Sequence, residues 1–446
     1  MAKTTKIAVV GAGSAQFSAH IITDMCLYKG LYGSQVVFED IDEDRLDFVT
    51  RAAKKLNEEL KCNLTITSTT NLDEALEGCD FVISAVQVGG YDWYEECRDI
   101  SEKYGFYRGN QLYEFSQMQF MLQLIRGMEK NCPDAWHVMA MNPVFEGTTY
   151  IIRNSKIKTV GLCHGFHYGV KEISGFLGID FDKVTYSCPG FNHWLWLTEF
   201  QYEGKDAMPM LNDWIKKNGE TYQKVAYGRT YHDHQMSRAA IHQYELFGYY
   251  PIGDTCRHGG WWYHTDFPTS QYFYGALGGF DSEIGWKQHI YNCTLELEKI
   301  RKAANSDQPA SSLLDTSFSG EQIVPIINAI ANNEKGVFQV NIANNGLMPE
   351  FPDDLAVESK AEVDASGMRW LPLDPMPREL IINAMMPRWQ FAERKLEFMR
   401  TRSKESLLLF FLHFHWCKDL KTAEALLDEW TNHPFVQKLG LMNPEI

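Results

Sequence analysis

Two short strings of this sequence carry side chains that bind divalent metal ions. Gly161-Leu162-Cys163-His164-Gly165 supplies a thiol, and Gly190-Phe191-Asn192-His193 supplies an imidazole thirty positions later. One thiolate with one imidazole leaves coordination positions open, which suits a catalytic rather than a structural divalent metal. We therefore interpret Cys163 and His193 as metal ligands with a catalytic role. Such a metal, downstream of a nucleotide-binding start, indicates redox chemistry on a hydroxylated substrate.

A glycine turn near the start of the chain predicts that nucleotide site. Residues 6–10 form an apolar run typical of a buried parallel strand, and Gly11-Ala12-Gly13-Ser14 follows it. The first glycine permits the tight turn, the second lets the backbone approach a pyrophosphate, and the following helix supplies amide donors. Gln16 stands in place of the usual third glycine, whereas Asp40 can hold a ribose diol and repel a 2′-phosphate. The pattern favours NAD over NADP, against the alternative of a plain glycine turn with an exposed acid. The candidate cofactor-binding residues are Gly11, Gly13, Ser14, Ala15, Phe17 and Asp40.

Composition and charge exclude several classes of protein. The chain has 446 residues, of which 45% are hydrophobic and 22% charged, as in globular proteins of about two or three domains. A net charge of −16 argues against nucleic acid as a partner. The 10 cysteines form no CxxC pair, the start shows no signal-peptide pattern, and the apolar run 407–412 is too short to span a bilayer. We expect a cytoplasmic protein with reduced thiols and no membrane partner.

Strand and helix patterns alternate through the first part of the chain. The predicted strands are 6–10, 35–38, 64–68, 80–88, 136–141 and 159–163, and the predicted helices include 16–29 and 43–60. Alternation of this kind, with glycine at the first crossover, predicts a doubly wound sheet. We expect an α/β fold with an NAD-binding, Rossmann-like domain over residues 1–190.

The pattern becomes mixed beyond about residue 170. The further predictions are a strand across 186–200, a helix over 285–305, strands at 336–342 and 355–357, and helical structure over 376–431. We expect a mixed α+β domain over residues 191–446 that carries substrate, metal and subunit contacts and shares its core with the first domain. The whole is then a lactate/malate dehydrogenase-like architecture.

These strings together resemble glycoside hydrolase family 4, the NAD- and metal-dependent glycosidases. The resemblance extends from residue 6 to about 435, and the Cys163 and His193 segments are its specific part. The matching residues are Gly11-Ala12-Gly13-Ser14, Asn142-Pro143, Thr148, Lys158, Val160-Gly161, Cys163, Asn192-His193, Pro251-Ile252-Gly253-Asp254-Thr255 and Ser319-Gly320-Glu321-Gln322.

Two positions indicate a branch within the family, and one segment departs from it. Cys163-His164-Gly165 is the form of the α-glucosidase and α-glucuronidase branches, and Asp254 stands where phospho-specific branches have a tyrosine. The resemblance therefore implies an unphosphorylated α-glucoside or α-glucuronide, with α-galactosides and α-galacturonides as alternatives. After residues 107–109 the relatives carry a longer loop with an additional active-site aspartate, and here residues 110–115 lead almost directly to Gln117. The acid that protonates the leaving group is therefore unassigned, with Glu114 as a weak substitute.

The resemblance also implies a reaction. The sugar is oxidised at C3 by NAD, a base removes the C2 proton with the help of the metal, the aglycone is eliminated, water adds, and the cofactor returns its hydride. This route differs from that of the glycosidases that act through a pair of carboxylates. Asp254 is the candidate base, and manganese is the metal that the family implies. The candidate substrate-binding residues are Asn142, His164, Asn192 and Arg257, of which Arg257 is the cation for an anionic sugar.

Two other interpretations of the sequence compete with a glycosidase. A 2-hydroxyacid dehydrogenase shares the glycine turn and Asp40 but needs no Cys163 and His193 metal site. An NAD-binding regulator without catalysis fits the shortened segment after residue 109. On the resemblance we expect a homodimer or a homotetramer.

Overall fold

The alternating apolar residues of the first strand set the architecture. In the computed structural model, which describes residues 4–14, 18–107, 110–163, 165–226 and 235–443, Ile7 and Val9 belong to one buried cluster and Ala8 and Val10 to another. Successive side chains of a strand point to opposite faces, so this strand has a buried core on each side. It therefore lies inside a sheet that is covered by helices on both faces.

Fifteen strands form two sheets in the described residues. They are β1 (Lys6–Val10), β2 (Gln35–Glu39), β3 (Thr65–Thr69), β4 (Phe81–Ser84), β5 (Trp136–Met139), β6 (Lys158–Gly161), β7 (Val184–Ser187), β8 (Gly190–Phe191), β9 (Trp194–Leu197), β10 (Glu199–Tyr202), β11 (Lys205–Asp206), β12 (Tyr250–Ile252), β13 (Gly336–Ala343), β14 (Ala356–Asp364) and β15 (Gly367–Trp370).

Eighteen α-helices accompany them in the same described residues. They are α1 (Ser18–Leu27), α2 (Glu43–Leu60), α3 (Leu72–Leu76), α4 (Gly90–Lys103), α5 (Asn110–Asn131), α6 (Val144–Asn154), α7 (Gly165–Leu177), α8 (Met208–Ala226), α9 (Arg238–Phe247), α10 (Thr255–His258), α11 (Phe267–Tyr274), α12 (Glu283–Asn305), α13 (Ile323–Asn332), α14 (Arg378–Leu380), α15 (Met386–Thr401), α16 (Lys404–Leu412), α17 (Leu420–Thr431) and α18 (Pro434–Lys438). A π-helix, Ile381–Met385, joins α14 to α15.

The strand order confirms the predicted Rossmann-like sheet. The main sheet has the order β12-β9-β8-β14-β13-β6-β5-β4-β1-β2-β3, with β15 beside β14. Its β3-β2-β1-β4-β5-β6 part is parallel throughout, which is the doubly wound order of dinucleotide-binding folds. The other strands of the main sheet pair antiparallel and extend it, and the second sheet is antiparallel with the order β11-β10-β7. The expected α/β fold with a mixed α+β part is therefore present, while the division at residue 190 stays a prediction.

Three strand predictions need correction. The stretch 186–200 is not one strand, because Gly190 (φ 155°) and His193 (φ 60°) bend the chain and the structure has parts of β7, β8, β9 and β10 there. The strand expected at 355–357 is nine residues long, since buried polar side chains in β14 hide its alternation. The strand expected at 80–88 ends at Ser84, where the chain leaves the sheet.

The topology brings several loops to one edge of the sheet. The carboxyl ends of β1, β4, β5 and β6 all lie at this edge, because parallel strands share one direction. The turn between β8 and β9 and the segment after β12 lie beside the residues that follow β6, because His193 is close to Cys163 and Gly253 is close to Gly165. No described helix combines the length and the apolar character that crossing a membrane requires.

Candidate active site

Two cavities open at this edge of the sheet. The larger has a volume of about 680 Å³ and the smaller about 320 Å³. Residues that line both of them include Asn142, after β5, together with His193 and Asp254. Clefts at the carboxyl ends of parallel strands are the usual ligand sites of such folds. The wall that the two cavities share is therefore the candidate active site.

The structure brings the predicted metal ligands and the predicted base together at this wall. Cys163 Sγ lies 3.5 Å from His193 Nε2, and the same imidazole nitrogen lies 3.0 Å from Asp254 Oδ2. His193 occupies the β8–β9 turn with φ 60°, a left-handed conformation uncommon for a bulky residue. Gly253 (φ 59°) lets the chain before Asp254 pack closely against Gly165, because a Cβ at Gly253 would stand 2.7 Å from the backbone of Gly165. Residues from three distant segments thus converge on one nitrogen atom.

The thiol and the imidazole fit a shared metal ion. Ligand bonds of about 2.3 Å to sulfur and about 2.0 Å to nitrogen place two such ligands roughly 3 to 3.6 Å apart, and the separation of Cys163 Sγ and His193 Nε2 falls in that range. Within the described ranges no group of three or more His, Cys, Asp or Glu side chains forms a fuller metal site. A pair of protein ligands leaves positions open for water and substrate, and the role of Cys163 and His193 as ligands stays a prediction.

Burial and nearby carboxylates raise the pKa of the Cys163 thiol. Desolvation, followed by the charges of Asp254 and Glu358, raises the pKa of Cys163 to about 12. Without a metal the thiol is therefore protonated, and binding of a metal ion would release that proton.

Arg257 holds the carboxylate of Asp254 from the other side. Its Nε donates to Asp254 Oδ1 at 2.9 Å, and one guanidinium NH2 group donates to Asp281 at 2.7 Å. Its guanidinium also lies 4.6 Å from the ring centre of Phe280. Arg257 is thus paired with two protein carboxylates. A guanidinium that binds the carboxylate of an anionic sugar would have no such pair of protein partners.

A buried polar network behind the ligand pair was missed by sequence reasoning. Asn192 Nδ2 donates to Glu358 at 3.1 Å, and Gln339 Nε2 donates to the other oxygen of Glu358 at 3.2 Å. Glu358 is 1% exposed, and burial raises its pKa while the amide donors lower it. Asn192, predicted to bind substrate, is 3% exposed and lines the larger cavity. Its hydrogen bond gives it a supporting role here, and a substrate contact stays a prediction.

The glycine turn has the form expected of a nucleotide site. Gly11 has φ 82°, and a Cβ there would stand 2.8 Å from Val86. The amide groups of Gly11 and Ala12 donate to the Glu39 carbonyl, and that of Gly13 donates to Asp40 Oδ2 at 2.7 Å. Asp40 thus braces the turn from the end of β2. These residues fit a bound dinucleotide, but their contacts with a cofactor stay predictions, as does the role of Ser14, which lines the larger cavity.

Three predicted site residues lie outside the described part of the chain. They are Ala15, Phe17 and His164. Of the other substrate candidates, Asn142 lines both cavities, and its carbonyl accepts from Gln117 Nε2 at 2.9 Å.

Buried charges from three helices underlie the same cavity. Lys395 of α15 is fully buried and contacts Glu114 of α5 and Glu146 of α6, the latter at 3.1 Å. Arg388 donates to both oxygens of Glu146, at 2.7 and 2.9 Å. Although burial favours the neutral acid, Arg388 and Lys395 lower the pKa of Glu146. The four side chains form two carboxylates and two cations, which is a neutral cluster.

Comparisons with known proteins give the family of the chain. Residues 6–177 match the model of family 4 glycosyl hydrolase, and residues 188–416 match that of its C-terminal domain. An α-galactosidase of Bacillus subtilis (strain 168) is 28% identical over 370 residues, 80% of this chain and 81% of that one. An α-glucosidase of Erwinia rhapontici is 25% identical over 421 residues, 84% and 86% of the two chains.

A solved structure shares the fold across nearly the full length. It is the crystal structure of a 6-phospho-α-glucosidase from gut microorganisms in complex with NAD and Mn²⁺. The TM-score is 0.79 with 20% sequence identity, and the match covers 98% of this chain and 99% of that one. The two family models together extend over both parts of the sheet and the residues that line its cavities. The protein therefore belongs to glycosyl hydrolase family 4, a family of glycosidases.

Proposed function

We propose that the protein hydrolyses an unphosphorylated, neutral α-glycoside with the help of NAD and a divalent metal ion. The observation that carries this proposal is the convergence of Cys163, His193 and Asp254 on the wall between two cavities. Relatives that bear the names α-galactosidase, α-glucosidase and α-galacturonidase support an α-linked substrate.

The pairing of Arg257 supports a neutral sugar over a uronide. Its guanidinium already binds Asp254 and Asp281, so a substrate carboxylate would have to compete with two protein carboxylates. Of the alternatives that the sequence leaves open, we therefore favour an α-glucoside or an α-galactoside.

Both cofactors would be held by residues already described. The turn from Gly11 to Ser14 with Asp40 would hold NAD, and Cys163 with His193 would hold the metal, for which manganese is the expected ion. When bound, they supply a hydride acceptor and a Lewis acid.

Asp254 is the group that we assign to the proton at sugar C2. Arg257 holds one carboxylate oxygen at 2.9 Å, and the other oxygen lies 3.0 Å from the His193 nitrogen that the metal would occupy, so the carboxylate is directed at the metal site. Fixed donors around a base keep it within reach of the proton that it must take. Burial raises the pKa of Glu114, but its carboxyl group contacts Lys395, so we assign it no role as the acid for the leaving group.

The test is release of nitrophenol from a panel of α- and β-nitrophenyl hexosides, uronides and 6-phosphohexosides. Each assay contains NAD, Mn²⁺ and reductant, and each component is then omitted in turn. We expect hydrolysis of a neutral α-hexoside that requires NAD and metal, and a product with deuterium at C2 when the reaction runs in D₂O. Hydrolysis without NAD, or a product without deuterium, would contradict the elimination route.

Substitution of the ligand pair links the activity to the described site. Cys163→Ser or His193→Ala should abolish metal-stimulated turnover while NAD still binds, because the glycine turn lies on other strands. Cys417→Ser is the matched control, since Cys417 is also a half-buried free thiol but lies before α17. Turnover that persists in either ligand variant would show that the metal assignment is wrong.

We also propose that the protein self-associates, on its membership of the family. The chain alone has a mass of 51.3 kDa. Sedimentation velocity at micromolar concentration should show a dimer or a tetramer, and a single species of monomer mass would contradict this expectation.

A further inference from the structure

A group of aromatic side chains lines the larger cavity apart from the nucleotide turn. Trp261 and Trp262 lie in a short 3-10 helix after α10, and His415 and Trp416 follow α16. We call these four residues the aromatic wall. Their two segments are far apart in the sequence, and both line the cavity that holds His193 and Asp254.

The aromatic wall is held in place by its own contacts. The rings of Trp261 and His415 stack with centres 5.2 Å apart and planes 11° from parallel. Trp416 Nε1 donates to the His264 carbonyl at 3.0 Å, and His264 Nε2 donates to the Arg257 carbonyl at 2.6 Å. The wall is therefore tied to the residue that holds Asp254, and its half-buried indoles are available to a ligand in the cavity.

The nucleotide side of the cavity is built from different elements. Ser14 follows β1, Gln87 follows β4, and Tyr91 belongs to α4. A dinucleotide on the glycine turn would extend along these strand ends, as in other doubly wound folds. The aromatic wall is instead tied through His264 to Arg257, which holds Asp254, so we assign it to the part of the cavity left for the substrate.

We propose that the aromatic wall is the subsite for the leaving group and that it takes a pyranose ring, so that the substrate is an α-linked disaccharide or oligosaccharide. A pyranose has a face of C–H groups, and the negative face of an indole ring attracts such groups and shields them from water. The inference rests on the proposed function, because it assigns a role to another part of the cavity that His193 and Asp254 line. An aryl leaving group has a similar flat, apolar face and is distinguished by the experiment.

The first experiment compares leaving groups in one variant and its control. Kinetic constants are measured for the α-disaccharide, the methyl α-glycoside and the nitrophenyl α-glycoside of the preferred sugar. In Trp261→Ala we expect the ratio of kcat/KM for the disaccharide to that for the methyl glycoside to fall about tenfold or more. Trp261→Phe should restore most of it. Trp136→Ala is the matched control, since Trp136 is a half-buried indole at the opposite, amino end of β5.

Two kinetic outcomes would overturn the proposal. An unchanged ratio in Trp261→Ala would show that the wall does not contact the leaving group. A fall for the nitrophenyl glycoside without a fall for the disaccharide would assign the wall to an aromatic aglycone instead.

The second experiment separates this inference from the proposed function because it requires no turnover. Saturation-transfer NMR is recorded on the protein with maltose or melibiose, without NAD or metal, while aromatic protons are irradiated. We expect transfer to the reducing-end glucose ring, and its loss in Trp261→Ala but not in Trp136→Ala. Transfer in a protein that hydrolyses no glycoside would support the sugar subsite while the proposed function fails. Absence of transfer in an active protein would overturn the subsite alone.

Discussion

At the scale of single residues, Glu358 supports the metal-ligand candidates Cys163 and His193 without being one of them. It belongs to β14 and accepts a hydrogen bond from Asn192. It lies opposite Gly190 of β8 and Asn341 of β13, so its carboxylate faces both neighbouring strands. Its hydrogen bond to Asn192 fixes the residue that precedes His193 in the turn. Supporting hydrogen bonds of this kind orient metal ligands and contribute to metal affinity.

We therefore predict that Glu358→Gln weakens metal binding without removing a ligand. The amide would present N–H groups to Asn192 and Gln339, which are themselves donors in this network, so part of the support for the turn is lost. The expected loss of affinity for Mn²⁺ or Co²⁺ is about 10- to 100-fold, measured by calorimetric titration. Glu362→Gln is the control on the same strand, because Glu362 pairs with Lys335 and Arg369 at the surface. Equal affinity in both variants would rule out this role for Glu358.

The sequence could indicate Cys163, His193 and Asp254 but not the residues that support them. A thiol and an imidazole in short glycine-containing strings have a recognisable chemistry, and the resemblance to a family links them to Asp254. Glu358 and Gln339 lie within strands and have no local pattern, since their contacts with Asn192 depend on the order of β13, β14 and β8. A charged residue at an otherwise buried position of a strand was the available signal.

At the scale of secondary-structure elements, Lys395 joins three helices around the cavity floor. It projects from α15 to Glu114 of α5 and Glu146 of α6, in the same cluster as Arg388. Removal of one partner from a buried ion cluster leaves an uncompensated charge, which is strongly destabilising. The ammonium group of Lys395 thus contributes to the packing of α15 on both α5 and α6.

We predict that Lys395→Met lowers the free energy of unfolding by about 3 to 5 kcal/mol. Glu114→Gln added to it should recover part of this loss, because one of the uncompensated carboxylates is then removed. Arg400→Met, on the same helix, removes an exposed ion pair with Glu397 and should change stability by less than about 1 kcal/mol. Urea unfolding of the four proteins measures these differences. A double variant less stable than Lys395→Met would contradict the charge argument.

The strand β5 carries a buried histidine that makes stability depend on pH. His137 is fully buried beside Ser84, with 2.8 Å between Nε2 and the hydroxyl oxygen, and desolvation lowers its pKa to about 3. Between pH 6.5 and pH 3 the unfolded chain binds a proton at this residue and the folded chain does not. The contribution of a neutral His137 is therefore complete above pH 6.5 and is lost as the pH falls.

We predict that the stability advantage of wild type over His137→Gln shrinks on acidification. The decrease should approach about 1.4 kcal/mol for each pH unit below about 6.5, because one proton distinguishes the two unfolded chains. Urea unfolding between about pH 7 and about pH 5 measures it. His413→Gln is the control, since His413 is exposed at the end of α16. A difference independent of pH would show that His137 is protonated in the folded protein.

The parallel strands were predictable as elements, and so was the antiparallel strand β13, whereas the length of β14 and the β8–β9 hairpin were not. The strand β1 is a continuous apolar run between polar residues and a glycine, and β2 is a short apolar run as well. The length and hydrophobicity of such runs are enough to predict a buried strand. In β14 the residues Glu358 and Ser359 are buried and polar, so an alternating pattern does not appear. The β8–β9 hairpin turns at Asn192-His193, which is not one of the dipeptides that usually indicate a tight turn.

At the scale of the whole molecule, the site exists because strands from the two halves of the chain share one sheet. Cys163 follows β6, and His193 lies between β8 and β9, with β13 and β14 between them in the sheet. The ligand pair therefore forms when the antiparallel strands add to the parallel ones. The nucleotide turn after β1 lies on the same edge, so a bound dinucleotide would stabilise the folded sheet as a unit.

We predict that NAD raises the stability of the folded protein and that NADP does so less. A ligand that binds the folded chain at about 100 times its Kd contributes about 2.7 kcal/mol, and Asp40 at the end of β2 should repel a 2′-phosphate. Thermal denaturation with each dinucleotide measures the difference. Asp40→Asn should narrow it, because the amide removes the charge and still offers an acceptor to the Gly13 amide group. Asp47→Asn, on the exposed face of α2, should leave it unchanged. Equal stabilisation of the wild-type protein by NAD and NADP would mean that Asp40 braces the glycine turn without selecting the cofactor.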